Sequence, residues 1–475
     1  MSALMLAICG LAFALRLGPL FDNRFHPDEA LFSTWSLLVA RGENLLLTGV
    51  SIDKPPLLIY LNAISFFVFG QTELAARVPN LIASVISVAL VWRLGRGKWI
   101  TLQPDYPLAL LPPLLLALSP FAISFAPTAF LDPTMIMFGL AALVAASRGR
   151  LGWAGILLGL SFATKVQGLF FAPLVMVFSR QGNKETRKEG DTETWRVVVL
   201  SLRLAFGFAL VALIVLAWDR ARGGLPFWTQ QTINYGDIRL IYPSELGPRL
   251  IGWASFLPYF FGPIVGGLGL IGLPHLLRTS SLDRWLLTWL LGLLAVHWLF
   301  NFPIWDRYWL CLVPIAALLI GRGLQQLDTR RALIAIIAFT LPFSLAAAAS
   351  QYPIGGDHGA NDGIDQVAAY LKTLPAGAVV YDHGLAWELG YYLGRGFAYL
   401  AYFDTPGALA ADLRVFGDDH RYVIFPTRET SAAVSAAIEP LGYELEAVFS
   451  TQNRFGQTSF TVFKITSRIG PRNEN

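Results

Sequence analysis

Residues 198–218 read VVLSLRLAFGFALVALIVLAW, an apolar run of 21 residues in which Arg203 is the one charged side chain. A run of about 20 such residues can cross the hydrocarbon core of a bilayer as a helix. The composition agrees, because 55% of the 475 residues are hydrophobic and only 14% are charged, whereas soluble domains carry about 25% charged residues. The sequence therefore predicts a polytopic membrane protein and excludes a soluble cytosolic enzyme or a disordered scaffold.

Further apolar runs within residues 1–349 also suit membrane-spanning helices. They predict an α-helical polytopic membrane domain of about 11 spans, at 2–20, 79–95, 105–122, 132–148, 151–164, 166–179, 198–218, 250–273, 285–304, 308–324 and 332–349. A twelfth run, 55–70, is shorter. We expect it to lie in the membrane interface with the amphipathic segment 28–41, within one long loop after the first span.

The distribution of Lys and Arg sets the orientation, because basic residues concentrate in cytoplasmic loops. With the N-terminus in the cytoplasm and 55–70 at the interface, the inner loops carry 15 Lys and Arg in 50 residues, against 11 in 109 outside. If 55–70 crossed the membrane, most basic residues would lie outside. We therefore expect a multi-pass protein of the plasma (inner) membrane with an extracytoplasmic C-terminus.

The C-terminal residues differ in composition from the rest of the chain. Residues 350–475 hold 9 basic and 14 acidic residues. The predicted domains are a transmembrane domain at 1–349 and a small extracytoplasmic α/β domain at 350–475. Within the latter, alternating apolar residues predict helices at 363–374 and 385–393 and strands at 378–382, 399–403, 422–426, 445–449 and 460–465.

Several charged residues fall at the outer ends of the predicted spans, where each is a functional candidate by default. They are His26, Asp28 and Glu29 in HPDEA, Lys54 in IDKPP, Asp132 in LDP, Lys165 between two short spans, and Arg307 beside Tyr308 in WDRY. Two acidic and three basic sites from separate parts of the chain thus share one face in this topology.

Each of these residues also has an ordinary structural explanation. The acid pair would favour the start of an interfacial helix, Lys54 would reach toward headgroups, and Asp132 would cap a helix. Arg307 would anchor its span to lipid, and His26 alone would more often be packed or solvated than a ligand. The convergence of independent sites on one face weakens these explanations taken together.

The motifs, in order along the chain, resemble a known family. HPDEA, IDKPPLLIYLNAISFFVFG, TELAARVPN, SPFAISFAPTAFLDP, GLSFATKVQGLFFAPL and WDRYWLCLVPIAALL are similar to segments of polyprenyl-phosphate-sugar glycosyltransferases. These are GT-C membrane enzymes that include protein O-mannosyltransferases and lipid A aminoarabinose transferases. The resemblance covers roughly residues 1–349 and implies a GT-C-like fold.

By this resemblance, Asp28 is the general base. Glu29 and Asp132 would position Asp28, the acceptor or a divalent cation. Lys54 and Arg307 would neutralise the departing phosphate of a lipid-linked sugar donor, and His26, Lys165 and Tyr308 are further candidate substrate-binding residues. The expected reaction inverts the configuration at the anomeric carbon of the sugar. A Mg, Mn or Ca ion is an option, since carboxylates are the ligands these ions prefer, but no cofactor is required.

Alternatives stay open for the acceptor and for the class of protein. Ala126, Pro127 and Thr128 stand where many relatives have a larger polar or basic residue, and the α/β tail favours a lipid or glycan acceptor over a protein. A transporter or flippase is the main rival, and a membrane anchor for a partner is another. No nucleotide, dinucleotide or zinc-protease motif occurs, and no basic run interleaved with aromatics indicates nucleic acid.

Overall fold

The computed structural model describes residues 3–96, 108–185, 193–267, 269, 274, 278, 281–324, 329–355, 359–394 and 399–468. Some predicted features therefore lie outside the described residues, in whole or in part. They are the start of the 105–122 span, the end of the 250–273 span, the loops at 92–104, 180–196, 278–284 and 322–331, and the linker residues 356–358.

The chain divides into two compact units. Met1–Phe21 and Ser36–Gly355 form the first, here the helical unit, and Asp22–Trp35 and Gly356–Asn475 form the second, here the α/β unit. One boundary falls inside helix α3, Pro27–Ala40. The segment that contains HPDEA thus belongs with the C-terminal residues.

The helical unit has the all-helical character that the apolar runs predict. Four stretches among the described residues are long and apolar enough to cross a membrane: Ala3–Asp22, Glu73–Gly95, Ser201–Ala221 and Arg330–Ala348. The number of 11 spans stays a prediction. The helices are α1 (Ala3–Leu15), α2 (Leu17–Asp22), α4 (Leu57–Phe69), α5 (Glu73–Gly95), α6 (Leu111–Leu118), α7 (Pro120–Phe125), α8 (Asp132–Ser147), α9 (Leu151–Thr164), α10 (Ala172–Glu185), α11 (Glu193–Ala221), α12 (Phe227–Tyr235), α13 (Leu246–Ala254), α14 (Ser281–Leu299), α15 (Leu312–Gly323) and α16 (Thr329–Ala348).

Small residues let α9 approach its neighbour α11 closely. A Cβ on Gly155 would lie 2.1 Å from the carbonyl oxygen of Leu204, and one on Gly207 would lie 2.3 Å from that of Gly152. Such contacts are typical of helix pairs in membranes, where close backbone approach replaces the hydrophobic driving force. The packing holds α9 in place, and the C-terminal end of α9 leads into Lys165.

The α/β unit contains one five-stranded sheet in the order β2-β1-β3-β5-β4. Strand β1 pairs in parallel with β2 and β3, while β5 runs antiparallel to β3 and β4. The elements are α17 (Ile364–Leu371), β1 (Val379–Asp382), α18 (Ala386–Leu393), β2 (Tyr399–Tyr402), α19 (Pro406–Phe416), β3 (Arg421–Pro426), α20 (Ala432–Ile438), β4 (Tyr443–Gln452) and β5 (Thr458–Ser467).

Helices cover both faces of this sheet. Successive strand residues point to opposite faces, so Val380 packs with Leu389 of α18 on one face, and Tyr381 packs with Leu413 of α19 on the other. All five predicted strands and both predicted helices of this region are confirmed to within a few residues. Helices α19 and α20 were not predicted from the sequence.

Candidate functional site

The loop before Asp132 is fixed by Asn80 of α5. The Asn80 side chain donates from Nδ2 to the carbonyl oxygens of Thr128 at 2.7 Å and Phe130 at 2.5 Å, and its Oδ1 accepts from Thr134 at 2.6 Å. Asn80 is fully buried, so these bonds satisfy polar groups that would otherwise be costly to bury. Asn80 therefore binds the backbone just before Asp132 and the side chain of Thr134 just after it.

Asp132 and Lys165 form a buried ion pair. Lys165 Nζ lies 2.7 Å from Asp132 Oδ1, and each side chain is 6% exposed. Asp132 is the first residue of α8, whose N-cap position is taken by Leu131, so the sequence-based alternative that Asp132 is the cap is wrong. A buried carboxylate and ammonium are tolerated because each neutralises the other.

Aromatic rings lie under two of the cations. Lys165 Nζ is 4.6 Å from the ring centre of Tyr308. The Arg307 guanidinium lies 4.6 Å from the ring of Phe130 and 4.5 Å from that of Trp305. Positive charge over an aromatic face is attracted by the ring quadrupole, so these contacts stabilise the cations.

Lys54 is held by a carboxylate and a tyrosine. Its Nζ donates to Asp53 Oδ2 at 2.6 Å and to the hydroxyl of Tyr235 at 3.1 Å, and it also lies 4.6 Å from the ring of Tyr235. The Tyr235 ring contacts Trp305 edge-on at 5.8 Å, and Trp305 contacts Tyr308 at 5.4 Å. A continuous path of rings thus joins the surroundings of Lys54 to those of Lys165.

Lys54, Lys165 and Arg307, here the cation cluster, act on one another electrostatically. The positive charges of Arg307 and Lys54 both reach the ammonium of Lys165. Asp53 and Asp132 balance two of these charges, and the three side chains together offer an anion a planar fork from Arg307 and point charges from the lysines. A phosphate group matches that arrangement.

In the α/β unit, HPDEA forms the first turn of α3. The Nδ1 atom of His26 accepts the backbone N–H of Asp28 at 3.2 Å, and Glu29 Oε2 accepts the backbone N–H of His26 at 3.1 Å. These reciprocal bonds resemble a capping box, in which side chains satisfy the free N–H groups of a helix start. Glu29 is 1% exposed, whereas Asp28 is half-buried, so Asp28 is the more accessible carboxylate of the pair.

Glu388 of α18 is a buried acid that sequence reasoning missed. Its side chain is fully buried, and neither carboxylate oxygen has a hydrogen-bond partner. Burial raises the pKa of the Glu388 carboxyl to about 7, and the negative charges of Asp382 and Asp28 add to that rise. The sequence signal was slight, a single acid within the apolar run LAWELGYYL.

The eight predicted site residues fall into two groups. Lys54, Asp132, Lys165, Arg307 and Tyr308 come together in the helical unit, and His26, Asp28 and Glu29 form the start of α3 in the α/β unit. Their catalytic and binding roles stay predictions. The residues that the sequence did not indicate are Asp53, Asn80, Phe130, Tyr235, Trp305 and Glu388, of which Tyr235 lies about 180 residues from its partner Lys54.

The donor set gives a divalent cation little support. Among the residues that the structure describes, no three His, Cys, Asp or Glu side chains are placed to hold a metal ion. One oxygen of Asp132 already accepts from Lys165, so a cation there would compete with an ammonium. Glu29 Oε2 is likewise used in capping the helix.

Two solved structures of ArnT from Cupriavidus metallidurans share this architecture. The structure bound to undecaprenyl phosphate matches with a TM-score of 0.61 over 99% of both chains, and the apo structure matches with 0.65 over 99% of this chain and 98% of that one. The chain has the GT-C fold of ArnT. Sequence identity is 14% in both comparisons, so the likeness concerns the fold.

Sequence comparisons point to the same group of proteins. Residues 53–218, which include Lys54, Asp132 and Lys165, match the family model described as Dolichyl-phosphate-mannose-protein mannosyltransferase. The protein named Putative mannosyltransferase YycA, from Bacillus subtilis, is 27% identical over 175 residues, which are 34% of this chain and 24% of YycA. The match therefore spans about a quarter of that relative's length. The resemblance inferred from the motifs is confirmed.

Proposed function

We propose that the protein is an inverting glycosyltransferase that moves a sugar from a polyprenyl-phosphate carrier to an acceptor outside the cytoplasm. The cation cluster carries this proposal, because it gathers three positive charges in a helical unit with the fold of ArnT. ArnT has been solved with undecaprenyl phosphate bound, and a lipid phosphate of that class presents the anion that such a cluster would neutralise.

The proposed reaction is a single displacement at the anomeric carbon of the sugar. A hydroxyl or amine of the acceptor forms the new bond to this carbon while the bond from the carbon to the phosphate oxygen breaks. The polyprenyl phosphate departs with the bonding electron pair. Asp28 takes the acceptor proton as general base, and Lys54 and Arg307 neutralise the phosphate as it leaves. With no covalent intermediate, the configuration of the sugar inverts.

The other predicted site residues support these roles in the proposal. Asp132 holds Lys165 beside the phosphate, and the ring of Tyr308 stabilises the Lys165 ammonium through a cation–π contact. Glu29 and His26 fix the turn that presents Asp28. Each of these assignments uses a contact within one unit.

An apolar pocket of about 330 Å³ offers space for the lipid chain of the donor. Its walls come from α10, α14 and the 3₁₀ turn Val166–Phe171, and they include Leu169, Phe170, Trp285 and Trp289. The turn begins directly after Lys165, and the first residue of the turn that lines the pocket is Leu169. We assign part of the isoprenoid chain to this pocket, because apolar walls favour a hydrocarbon chain over the sugar.

The proposed membrane arrangement follows the charge distribution. It comprises 11 spans, a cytoplasmic N-terminus, interfacial segments at 28–41 and 55–70, and an extracytoplasmic domain at 350–475, all in the plasma (inner) membrane. Helix α4 has 13 residues, between the 12 of α15 and the 14 of α9 in two proposed spans, so the interfacial assignment of 55–70 rests on the distribution of Lys and Arg. Membrane lipids are the remaining partners of the helical unit.

The acceptor is proposed to be a lipid or a glycan, with a protein acceptor less favoured. The α/β unit resembles the tail of bacterial members of the family, and the sugar-binding repeats of eukaryotic protein mannosyltransferases are absent from the sequence. A transporter or flippase remains the alternative class, but transporters are often built from internal repeats with charges near the bilayer midplane. No matching halves occur in this sequence.

The test is mass spectrometry of the purified full-length protein supplied with candidate polyprenyl-phosphate sugars and acceptors. We expect a product heavier by one sugar, formed about 10³-fold more slowly by Asp28→Asn because the general base is lost. Asp419→Asn, at an exposed aspartate of the α/β unit, is the matched control and should match the wild type. A fully active Asp28→Asn protein would remove the proposed base, and lipid flipping without sugar transfer would favour the transporter.

A further inference from the structure

The residues just before HPDEA are bound by the C-terminal part of the α/β unit. Arg454 donates to the carbonyl oxygen of Asp22 at 2.8 Å and to Oδ1 of Asn23 at 3.1 Å. The same guanidinium is fixed by Asp362, which accepts from Nε at 2.8 Å and from an Nη atom at 2.7 Å. Both ends of this fork are used, so Arg454 holds the segment in a defined orientation.

Phe25 is held at both of its backbone polar groups. Its N–H donates to the hydroxyl of Tyr392 at 3.0 Å, and its carbonyl oxygen accepts from Nδ2 of Asn361 at 3.0 Å. The Phe25 ring is fully buried and packs edge-on against Tyr391 at 4.7 Å. Backbone groups buried in this way need partners, and here distant side chains supply both of them.

Little freedom remains between Phe25 and Asp28. His26 takes part in the capping bonds, and Pro27 is the first residue of the helix with a fixed φ. The position of Asp28 is therefore set by the anchor at Phe25, three residues earlier. A shift of that anchor would be passed to the Asp28 carboxylate rather than absorbed in between.

We propose that Tyr392 and Asn361 are positioning residues that aim Asp28 for proton transfer. The inference rests on the proposed function, and it gives the α/β unit a direct part in the reaction. Tyr392 and Asn361 act through the backbone of Phe25 and need not touch the substrate. Misplacement of a reacting group by about 1 Å can slow an enzyme by up to about 100-fold.

The experiment compares Tyr392→Phe with Tyr399→Phe in the full-length protein. Tyr392→Phe removes the hydroxyl that accepts from Phe25 and keeps the ring, while Tyr399 lies on strand β2 with 72% of its surface exposed. We expect Tyr392→Phe to lower kcat about tenfold with the donor KM changed less than about twofold. Tyr399→Phe should leave both constants unchanged.

The background of Asp28→Asn separates positioning from general stability. If Tyr392 acts through Asp28, adding Tyr392→Phe to Asp28→Asn should slow the residual reaction less than about twofold, because two changes that act through one group are not additive. A further tenfold loss in that background would overturn the proposal. Asn361→Ser, which removes the other bond to Phe25, should repeat the pattern of Tyr392→Phe.

Hydrogen exchange supplies a readout that does not depend on activity. Amides in peptides covering residues 22–35 should exchange faster in Tyr392→Phe than in the wild type or Tyr399→Phe. Unchanged exchange would overturn the anchoring, and faster exchange with unchanged kcat would overturn the positioning role. A wild type that transfers no sugar would instead refute the proposed function, and the exchange data would still decide whether the anchor exists.

Discussion

The cation cluster and the acid pair are built in different ways. Each of Lys54, Lys165 and Arg307 contacts a side chain far away in sequence. Lys54 lies over Tyr235, Lys165 pairs with Asp132, and Arg307 lies over Phe130. Asp28 and Glu29 both take part in capping bonds with His26 within one helical turn. The cluster is thus a product of helix packing, whereas the acid pair is a local structure that needs an external anchor for its position.

This difference predicts different responses to substitution. Removing Lys54 or Lys165 leaves a buried aspartate without its countercharge, so stability and donor binding should both decrease. Removing Asp28 should spare the fold, because its side chain is half-buried and the capping bonds use its backbone N–H. The expected effects below run from the largest to the smallest.

Lys165→Met should lower the free energy of unfolding by about 3 kcal/mol or more, because Asp132 then keeps a buried charge without a partner. Unfolding of the full-length protein in detergent measures the effect. The double variant Lys165→Met with Asp132→Leu should recover most of the loss, since it removes both charges. Lys464→Met, at a half-buried lysine of strand β5, is the control. A double variant no more stable than the single one would show that the loss of stability does not come from the unpaired charge of Asp132.

Glu388→Gln should remove a pH dependence of stability in the α/β unit. Because the pKa of Glu388 is about 7 in the folded protein and near 4.5 in an unfolded chain, the folded state binds the proton more tightly. The contribution of Glu388 to the free energy of unfolding should be highest below pH 4.5, fall by roughly 3 kcal/mol between pH 4.5 and 7, and then stay level.

Pulse proteolysis of the full-length protein in urea, between pH 4.5 and 8, measures this stability. The wild type should weaken as the pH rises through that window, and Glu388→Gln should weaken less. Glu446→Gln, in strand β4 on the same sheet, is the matched control and should keep the wild-type slope. Identical slopes for wild type and Glu388→Gln would exclude a buried protonated Glu388.

Lys54→Ala should raise the KM for the lipid donor about tenfold, since it removes a charge-assisted contact to phosphate worth about 1.5 kcal/mol. The KM for the acceptor should change less than about twofold. Steady-state kinetics with each substrate varied in turn gives both constants, with Lys464→Ala, in strand β5, as control. A larger effect on the acceptor than on the donor would reject the phosphate assignment of Lys54.

Gly292→Phe should fill the apolar pocket, because Gly292 lines it and a Cβ there meets no atom within 4 Å. We expect the KM for a long-chain carrier to rise about fivefold, equivalent to roughly 1 kcal/mol of lost apolar contact, while a carrier of one or two isoprene units is unaffected. Gly10→Phe, at a glycine of α1 with equal open space, is the control. An equal change for both carriers would place the lipid chain elsewhere.

The sequence predicted local structure well where a strand or helix is marked by the periodicity and composition of its own residues. The strands at 378–382 and 422–426 appear because apolar residues run through β1 and β3, which are covered on both faces. Helix α19 was missed, since little more than Leu409, Ala410 and Leu413 marks its buried side. Two signals were present: Thr405 followed by Pro406 suits a helix start, and parallel strands need a crossover of the kind a helix provides.

The sequence by itself determined that the chain enters a membrane, that its tail forms a sheet, and which charged residues deserve attention. These are properties of hydrophobicity, periodicity and residue type, which act over short stretches of chain. Only the tertiary structure decided that Tyr235 lies beneath Lys54, that Asp132 pairs with Lys165, and that residues 22–35 belong to the α/β unit. Such contacts join residues tens to hundreds of positions apart, and they depend on how helices and strands pack rather than on any pattern within one segment.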